Sequence, residues 1–322
     1  RAFLAPMSGV TDVPFRNLAW QLGAGLVVSE MVASQALIEG EQEMALKMLR
    51  SKSDVHMVQL AGREAKWMTL AAKLAQDSGA DIVDINMGCP AKRVTTGYSG
   101  SALMRDLDHA MGLIEATIGA VSVPVTLKMR LGWDRTSINA PELAKLAESA
   151  GVKMITVHGR TRCQFYKGKA DWTLVRRVRE ATSLPLVVNG DVVDQQSAQT
   201  ALSKSGADAV MIGRGAYGKP WQPGLIAGSI GLDEAKEHAH DPQFVVLHHK
   251  DVLSTYGEAA GIRQARKHLA WYFDNLCLPG TSIPLRRRIL TSFDVDEIQR
   301  LIPELFAVAE HEASQSDQLA VA

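Results

Sequence analysis

Eight short and nearly continuous apolar runs recur along the chain, separated by stretches of helical periodicity. The runs are Phe3–Ala5, Leu26–Ser29, Met57–Leu60, Ile82–Asn86, Val125–Met129, Met154–Val157, Leu186–Asn189 and Ala209–Ile212. Their residues do not alternate between apolar and polar, which is the pattern of parallel strands covered on both faces. Three runs follow the same signal: Gly79-Ala80-Asp81, Gly151-Val152-Lys153 and Gly206-Ala207-Asp208. A glycine that ends one helix just before the next strand explains the repetition. Amphipathic stretches at Glu64–Ser78, Leu107–Val121, Pro141–Ala150 and Trp172–Ala181 fill the intervals. Eightfold strand–helix alternation predicts an α/β fold, a (β/α)8 TIM barrel over residues 1–227. An open doubly wound sheet is the alternative. Its dinucleotide fingerprint is missing, because Gly23-Ala24-Gly25 precedes a strand where the motif should follow one.

The alternation stops near Trp221. Residues 228–241 are polar and predict a linker, and from Pro242 the periods are helical: Phe244–Tyr256, Ile262–Asn275, Ile283–Phe293 and Asp296–Glu312. A small helical bundle is expected over 242–313, with a frayed tail at 314–322. A chain of 322 residues, 46% apolar, suits a barrel with such an appendage. No apolar run approaches bilayer length, and no signal peptide precedes the first strand, so a cytoplasmic monomer is expected. The chain opens on Arg1 and enters a strand almost at once, so further native residues are expected upstream. Three widely spaced cysteines, Cys89, Cys163 and Cys277, make neither a disulfide framework nor a zinc site and point to a reducing compartment.

In a barrel, chemistry sits at the C-terminal ends of the strands. The conspicuous polar residues fall there: Pro6-Met7-Ser8, Ser29-Glu30, Gln59, Asn86 to Cys89, Lys128 and Arg130, His158 and Arg160, Asn189-Gly190-Asp191, and Gly213-Arg214. Each alone has a dull explanation in turns or structural polar groups; their alignment on one rim does not. The loops after strands seven and eight commonly hold phosphate in barrels. Gly190 and Gly213 admit a phosphate to the backbone and Arg214 adds charge. A flavin mononucleotide or a sugar phosphate would fit equally at those two loops. A flavin ring also needs a partner at its pyrimidine edge, a cation nearby and an apolar cover. Gln59, Lys128 and Pro6-Met7 suit those needs.

Pro6-Met7-Ser8-Gly9-Val10-Thr11-Asp12, Ser29-Glu30-Met31, Asp84 to Pro90, Lys128-Met129-Arg130, His158 to Thr161 and Asn189-Gly190-Asp191 resemble the tRNA-dihydrouridine synthase family. Ala265-Arg266-Lys267-His268 and Trp271-Tyr272 resemble its bacterial B-type subgroup. The resemblance spans nearly the whole chain, and Asn86-Met87-Gly88-Cys89-Pro90 is its most specific segment. It implies an FMN-binding barrel, NADPH as reductant, tRNA as substrate with a D-loop uridine as target, and a helical domain that helps bind the RNA. FMN contacts then fall on Pro6, Met7, Ser8, Gln59, Lys128, His158, Asn189, Gly190, Asp191, Gly213 and Arg214. The active-site acid falls on Cys89.

The chemistry agrees with that assignment. Hydride added to uracil C6 leaves enolate character at C5 and O4, so C5 must be protonated. An ordinary thiol, with a pKa of about 8.5, is still protonated at neutral pH where an ordinary carboxyl is not. The expected role of Cys89 is therefore that of an acid and not a covalent nucleophile. Asn86 is expected to read the edge of an extruded uracil. Arg130 and Arg160 are expected to hold phosphates or base carbonyls, with a rim carboxylate as the other partner for Arg130.

Net charge is zero, yet Arg263, Arg266, Lys267, Arg286, Arg287 and Arg288 stand against Asp274 alone between 263 and 288. That basic stretch is the expected tRNA surface. Trp271 and Tyr272 are expected in the bundle core. His248-His249, like His238 and His240, are expected at the surface with no carboxylate at ligand spacing, hence no metal. Cys163 is the weaker candidate acid and Cys277 is expected to be structural. A flavin barrel acting on a free pyrimidine would not need the basic bundle. A tRNA-binding chaperone would not need Cys89 or Lys128.

Overall fold

The computed structural model describes residues 1–276 and 282–321, with side chains through 311. Cys277 lies outside the described residues. All eight expected strands form: β1 (Ala2–Leu4), β2 (Leu26–Ala33), β3 (Met57–Ala61), β4 (Ile82–Met87), β5 (Val125–Arg130), β6 (Ile155–His158), β7 (Leu186–Asn189) and β8 (Ala209–Ile212). They pair in parallel and in sequence order, and β8 pairs with β1, closing a (β/α)8 barrel. The outward residues, among them Val58, Leu60, Val83, Ile85, Leu127, Val157 and Val188, join the helices in one large core.

The barrel interior divides along its axis. Leu26, Val28, Met57, Val187, Ala209 and Met211 form a separate apolar cluster toward the strand starts. Toward the strand ends the same inward face turns polar. The register sets Gln59 beside Asp84, Asp84 beside Thr126, Asn86 beside Lys128, and His158 beside Asn189. Alternate residues of a strand share a face, so Asp84 and Asn86 enter together, as do Thr126, Lys128 and Arg130. Burying that many polar groups is tolerable only if they pair with each other or with a ligand. At the opposite end the glycine signals act as expected: Gly151 and Gly206 cap helices in the left-handed region at φ 105° and 67°.

The C-terminal region departs from expectation at several points. The segment expected as a linker holds a helix, Leu232–His240, whose Ala235 is buried in a further apolar core built mainly by the C-terminal helices, with Phe244, Leu269, Phe273 and Leu301. One small apolar side chain in a polar helix leaves little trace in periodicity. That core also takes Leu22, which follows the helix Val13–Gln21, and Trp221, which precedes the helix Gln222–Ala227, so the bundle is seated on the barrel. The last helix runs Val295–Val321, through the stretch expected to fray, which has no Gly or Pro to stop it. Among the described residues no helix is long and apolar enough to cross a membrane.

His248 and His249 are buried and not at the surface as expected, each 2% exposed. His248 Nδ1 meets the Tyr272 hydroxyl at 2.9 Å. Its ring lies 4.9 Å from that of His268, and His268 Nε2 lies 3.5 Å from Asp12 Oδ2, a carboxylate that sequence spacing did not place there. Asp12 caps the helix Val13–Gln21 through the Phe15 N–H at 2.9 Å, so this buried cluster ties the barrel's first helix to the bundle. Burial, then the facing His268, push His248 down to about 3 against the opposing pull of Asp12, and burial pushes His249 down to about 4. Both are neutral when folded and ordinary, near pH 6.5, when unfolded. The stability they contribute is complete above about pH 6.5 and declines as pH falls, by about 1.4 kcal/mol per pH unit for fully buried His248. Thermal melts between pH 7.5 and pH 4.5 should show Tm falling below about pH 6.5, with the fall reduced in His248→Gln; a level profile would refute this.

Candidate active site

At the C-terminal mouth of the barrel lies a cavity of about 590 Å³, within the range of small-molecule sites. Its wall contains Cys89 and every residue expected to hold a cofactor, from Pro6, Met7 and Ser8 through Gln59, Lys128, His158, Asn189, Gly190, Asp191 and Gly213 to Arg214. Asn86, Arg130 and Arg160 line it too. Tyr166 and Tyr217 are also in the wall. Neither stood out in the sequence, since each lies in a loop beyond the strand-end position.

Cys89 is half-buried on the loop after β4, and that loop is fastened by its main chain. Asn86 Oδ1 accepts from the amides of Gly88 and Cys89 at 3.2 and 3.0 Å. Ser101 donates its amide and hydroxyl to the Cys89 carbonyl at 3.1 and 2.8 Å. Arg130 Nε donates to the Gly88 carbonyl at 2.8 Å. Gly100, at φ +60°, passes so near that an added Cβ would lie 3.2 Å from that of Cys89. The thiol takes no part in this fastening.

Behind the loop runs a buried polar chain. Asn86 Nδ2 donates to Gln59 Oε1 at 2.7 Å, Gln59 Nε2 to Asp84 Oδ2 at 2.7 Å, and Thr126 Oγ1 to Asp84 Oδ1 at 2.5 Å. Asp84 was not picked out as a site residue. Burial pushes its carboxyl up, against the hydrogen bonds from Gln59 and Thr126. Asn86, expected to read a base, is held by Gln59 and the Cys89 loop and keeps one amide proton at the cavity wall. Gln59 keeps one amide proton and one lone pair for a ligand.

Lys128 Nζ donates to Asn189 Oδ1 at 3.2 Å, and the Asn189 amide is oriented by donating to the Met211 carbonyl at 2.8 Å. Among the described residues Lys128 forms no ion pair. Burial, with neighbouring Arg130, lowers its pKa to about 8, so it is still mostly a cation at neutral pH with two donors left over. His158 is held well below its ordinary value by burial and by Arg130, Lys128, Arg160 and Arg214. Arg160 Nη1 approaches His158 Nε2 at 3.3 Å. A guanidinium only donates, so Nε2 accepts and the ring proton sits on Nδ1.

The two rim arginines expected to hold phosphates or base carbonyls line the cavity and also bind the protein's own groups. Arg130, 1% exposed, donates to the carbonyls of Gly88, Thr161 and Phe165, each at 2.8 Å. Arg160 is equally buried and pairs with Asp191 at 2.6 Å while reaching the Gly168 carbonyl at 2.7 Å. Asp191, expected among the cofactor contacts, also accepts from the Ala170 amide at 2.7 Å and stands 3.8 Å from Arg214. The carboxylate there aims the arginines, while Asp191 itself stays in the cavity wall. Gly190 precedes it at φ +109°, and an added Cβ would lie 2.7 Å from the His158 ring, so only glycine fits. Arg214 lies over Tyr166 at 4.8 Å with its side chain 49% exposed.

None of the basic residues of the bundle lines the cavity. Arg286 pairs with Asp274 at 2.6 Å and Arg288 pairs with Glu297. Arg266 donates to the Ser292 carbonyl at 3.1 Å and covers Phe293. Lys267 is half-buried, donates to Gln264 and faces Gly9. Arg263 and Arg287 form no ion pair among the described residues. Tyr272 is buried as expected, while Trp271 is only partly so and stacks on Tyr217 at 4.1 Å. Cys163 is exposed and outside the cavity.

A closed parallel barrel with a cationic, ligand-sized mouth defines a (β/α)8-barrel enzyme. The profile of the dihydrouridine synthase family matches residues 3–309, and the chain belongs to that family. It is 57% identical over 300 residues, 92% of each chain, to a probable tRNA-dihydrouridine synthase of Rhizobium leguminosarum bv. phaseoli. It is 50% identical over 317 residues, 95% of each, to a protein of the same description from Rhodobacter capsulatus. It is 43% identical over 272 residues, 83% of this chain and 84% of the other, to the tRNA-dihydrouridine synthase B of Proteus vulgaris. The last agrees with the B-type resemblance of the segment around Lys267.

Proposed function

We propose that this chain reduces D-loop uridines of tRNA to 5,6-dihydrouridine in the cytoplasm, acting as a monomer with FMN in the barrel mouth and NADPH as the source of electrons. The observation that carries this reading is that Cys89, on a loop fixed without its thiol, opens into the same cavity as buried Lys128, which has no ion pair among the described residues. The donor set suits FMN. Lys128, Gln59 and Asn189 would hold a polar ring edge, Pro6 and Met7 would cover a face, and Gly190, Gly213 and Arg214 would hold the phosphate. When bound, FMN supplies the hydride that reduces uracil C6. Cys89 Sγ–H then gives its proton to C5. Asp191 keeps Arg160 and Arg214 in place at the phosphate end, and neutral His158 avoids adding a further cation to that group.

Purified protein should be yellow and release FMN on denaturation. With NADPH and unmodified tRNA transcript it should form dihydrouridine, detected by nucleoside mass spectrometry. A colourless protein that takes up no flavin would sink the cofactor assignment. Consumption of free uracil at the rate of tRNA would move the reading to a free-pyrimidine reductase.

A further inference from the structure

Beside the catalytic cavity lies a second, open groove of about 530 Å³, formed by Lys92, Tyr98, Arg105, Trp133, Arg162, Phe165 and two threonines. Among the described residues no carboxylate lines it and none of its three cations is in an ion pair. The guanidiniums of Arg105 and Arg162 lie 4.9 and 4.7 Å from the centre of the same Trp133 ring, and Arg162 also lies 4.7 Å from that of Phe165. Both guanidiniums sit against the one indole with no carboxylate among the described residues that line the groove, so a phosphate there would meet two cations not yet neutralised. Arg162 donates to Thr95 Oγ1 at 3.1 Å, and its buried Nε has no partner. Tyr98 is 68% exposed, a face open for stacking. Tyr98 and Phe165 are two of the described non-glycine residues at positive φ, 56° and 51°. Strain of that kind in bulky residues gathers at functional sites.

We infer that this groove is a subsite for single-stranded RNA, receiving the phosphates and one base of the strand next to the extruded uridine. The inference rests on the functional reading above and adds a place for the flanking RNA. Phe165 lines both the groove and the catalytic cavity, and Lys92 follows Cys89 on the same loop, so a strand with its uridine at Cys89 passes over this surface. Basic walls with aromatic platforms are how single strands are held. The bundle's arginines are less suited, because two of them are already paired with acids.

The test is binding of unmodified tRNA transcript to full-length protein across a salt series. Lys92→Gln with Arg105→Gln should weaken binding at least about tenfold and flatten the slope of log K against log salt by about 0.7 per lost phosphate contact. Tyr98→Ala should weaken it about fivefold or more without changing the slope. All three side chains are exposed, so unchanged melting curves will certify the fold. A double variant with the wild-type slope overturns the inference. If wild-type protein binds tRNA but makes no dihydrouridine, the functional reading fails, while the salt slope still decides the groove.

Discussion

Cys89→Ala should lower dihydrouridine formation at saturating tRNA by about 10²- to 10⁴-fold, the usual contribution of a positioned proton donor. The loss should be chemical because the Cys89 loop is fastened through its amide and carbonyl by Asn86 and Ser101, and through Gly88 by Arg130. Alanine keeps every one of these bonds. Flavin content, tRNA affinity and NADPH oxidation should therefore stay at wild-type levels, and only the product should disappear. One other group in the cavity can donate a proton near neutral pH, Lys128, whose pKa burial brings to about 8. Residual activity in the alanine variant that declines above about pH 8 would trace to it. In heavy water the wild type should place deuterium at C5, as an acid role requires. A covalent enzyme–uridine adduct at Cys89 would assign a nucleophile instead, and unchanged product yield in Cys89→Ala would remove the residue from the mechanism.

The strands were legible because parallel barrel strands are buried on both faces, so their runs stay apolar from end to end. The rim was legible for a topological reason: once the barrel is inferred, residues at strand ends must share one mouth, whichever strand they come from. What each polar group does there was not legible. Arg130 meets Gly88 across 42 residues and Arg160 meets Asp191 across 31. An arginine at a strand end looks the same in sequence whether it faces RNA or a carbonyl. The same holds for Asn86, which offers donor and acceptor to any partner. His248 shows the limit in another way. A histidine within a helical period carries no sign of burial, and its neighbour Asp12 comes from the barrel's first helix. Charge counting also could not tell paired from unpaired cations: Asp274 and Glu297 neutralise two bundle arginines, while Arg105 and Arg162, far apart in sequence, meet on one tryptophan.

Arg130→Leu should be the second most damaging change, because Nε and Nη1 of the arginine hold three of the protein's own carbonyls. It ties the loop carrying Cys89 to the loop after β6, through Gly88 on one side and Thr161 and Phe165 on the other. Leucine fills part of the volume and satisfies none of the three. An unsatisfied buried acceptor costs about 1–3 kcal/mol. Opposing this, removal relieves repulsion among Arg130, Lys128 and Arg160, since burial and the nearby arginines already bring Arg130 down to about 10. Three carbonyls against one relieved cation leave a net loss of about 2–4 kcal/mol. The two loops should respond by moving apart, because each can regain water for its carbonyls only by opening. Turnover should then fall about 10²-fold or more, since a proton donor displaced by an ångström no longer reaches C5 in line. Arg130→Lys should recover only a part, as one ammonium cannot span three carbonyls. The discriminating readout is alkylation of Cys89, followed by peptide mass spectrometry well below the melting temperature so that exposed Cys163 is counted separately. Arg130→Leu should alkylate Cys89 faster than wild type. A wild-type alkylation rate together with wild-type turnover would show that the loops hold their places without Arg130.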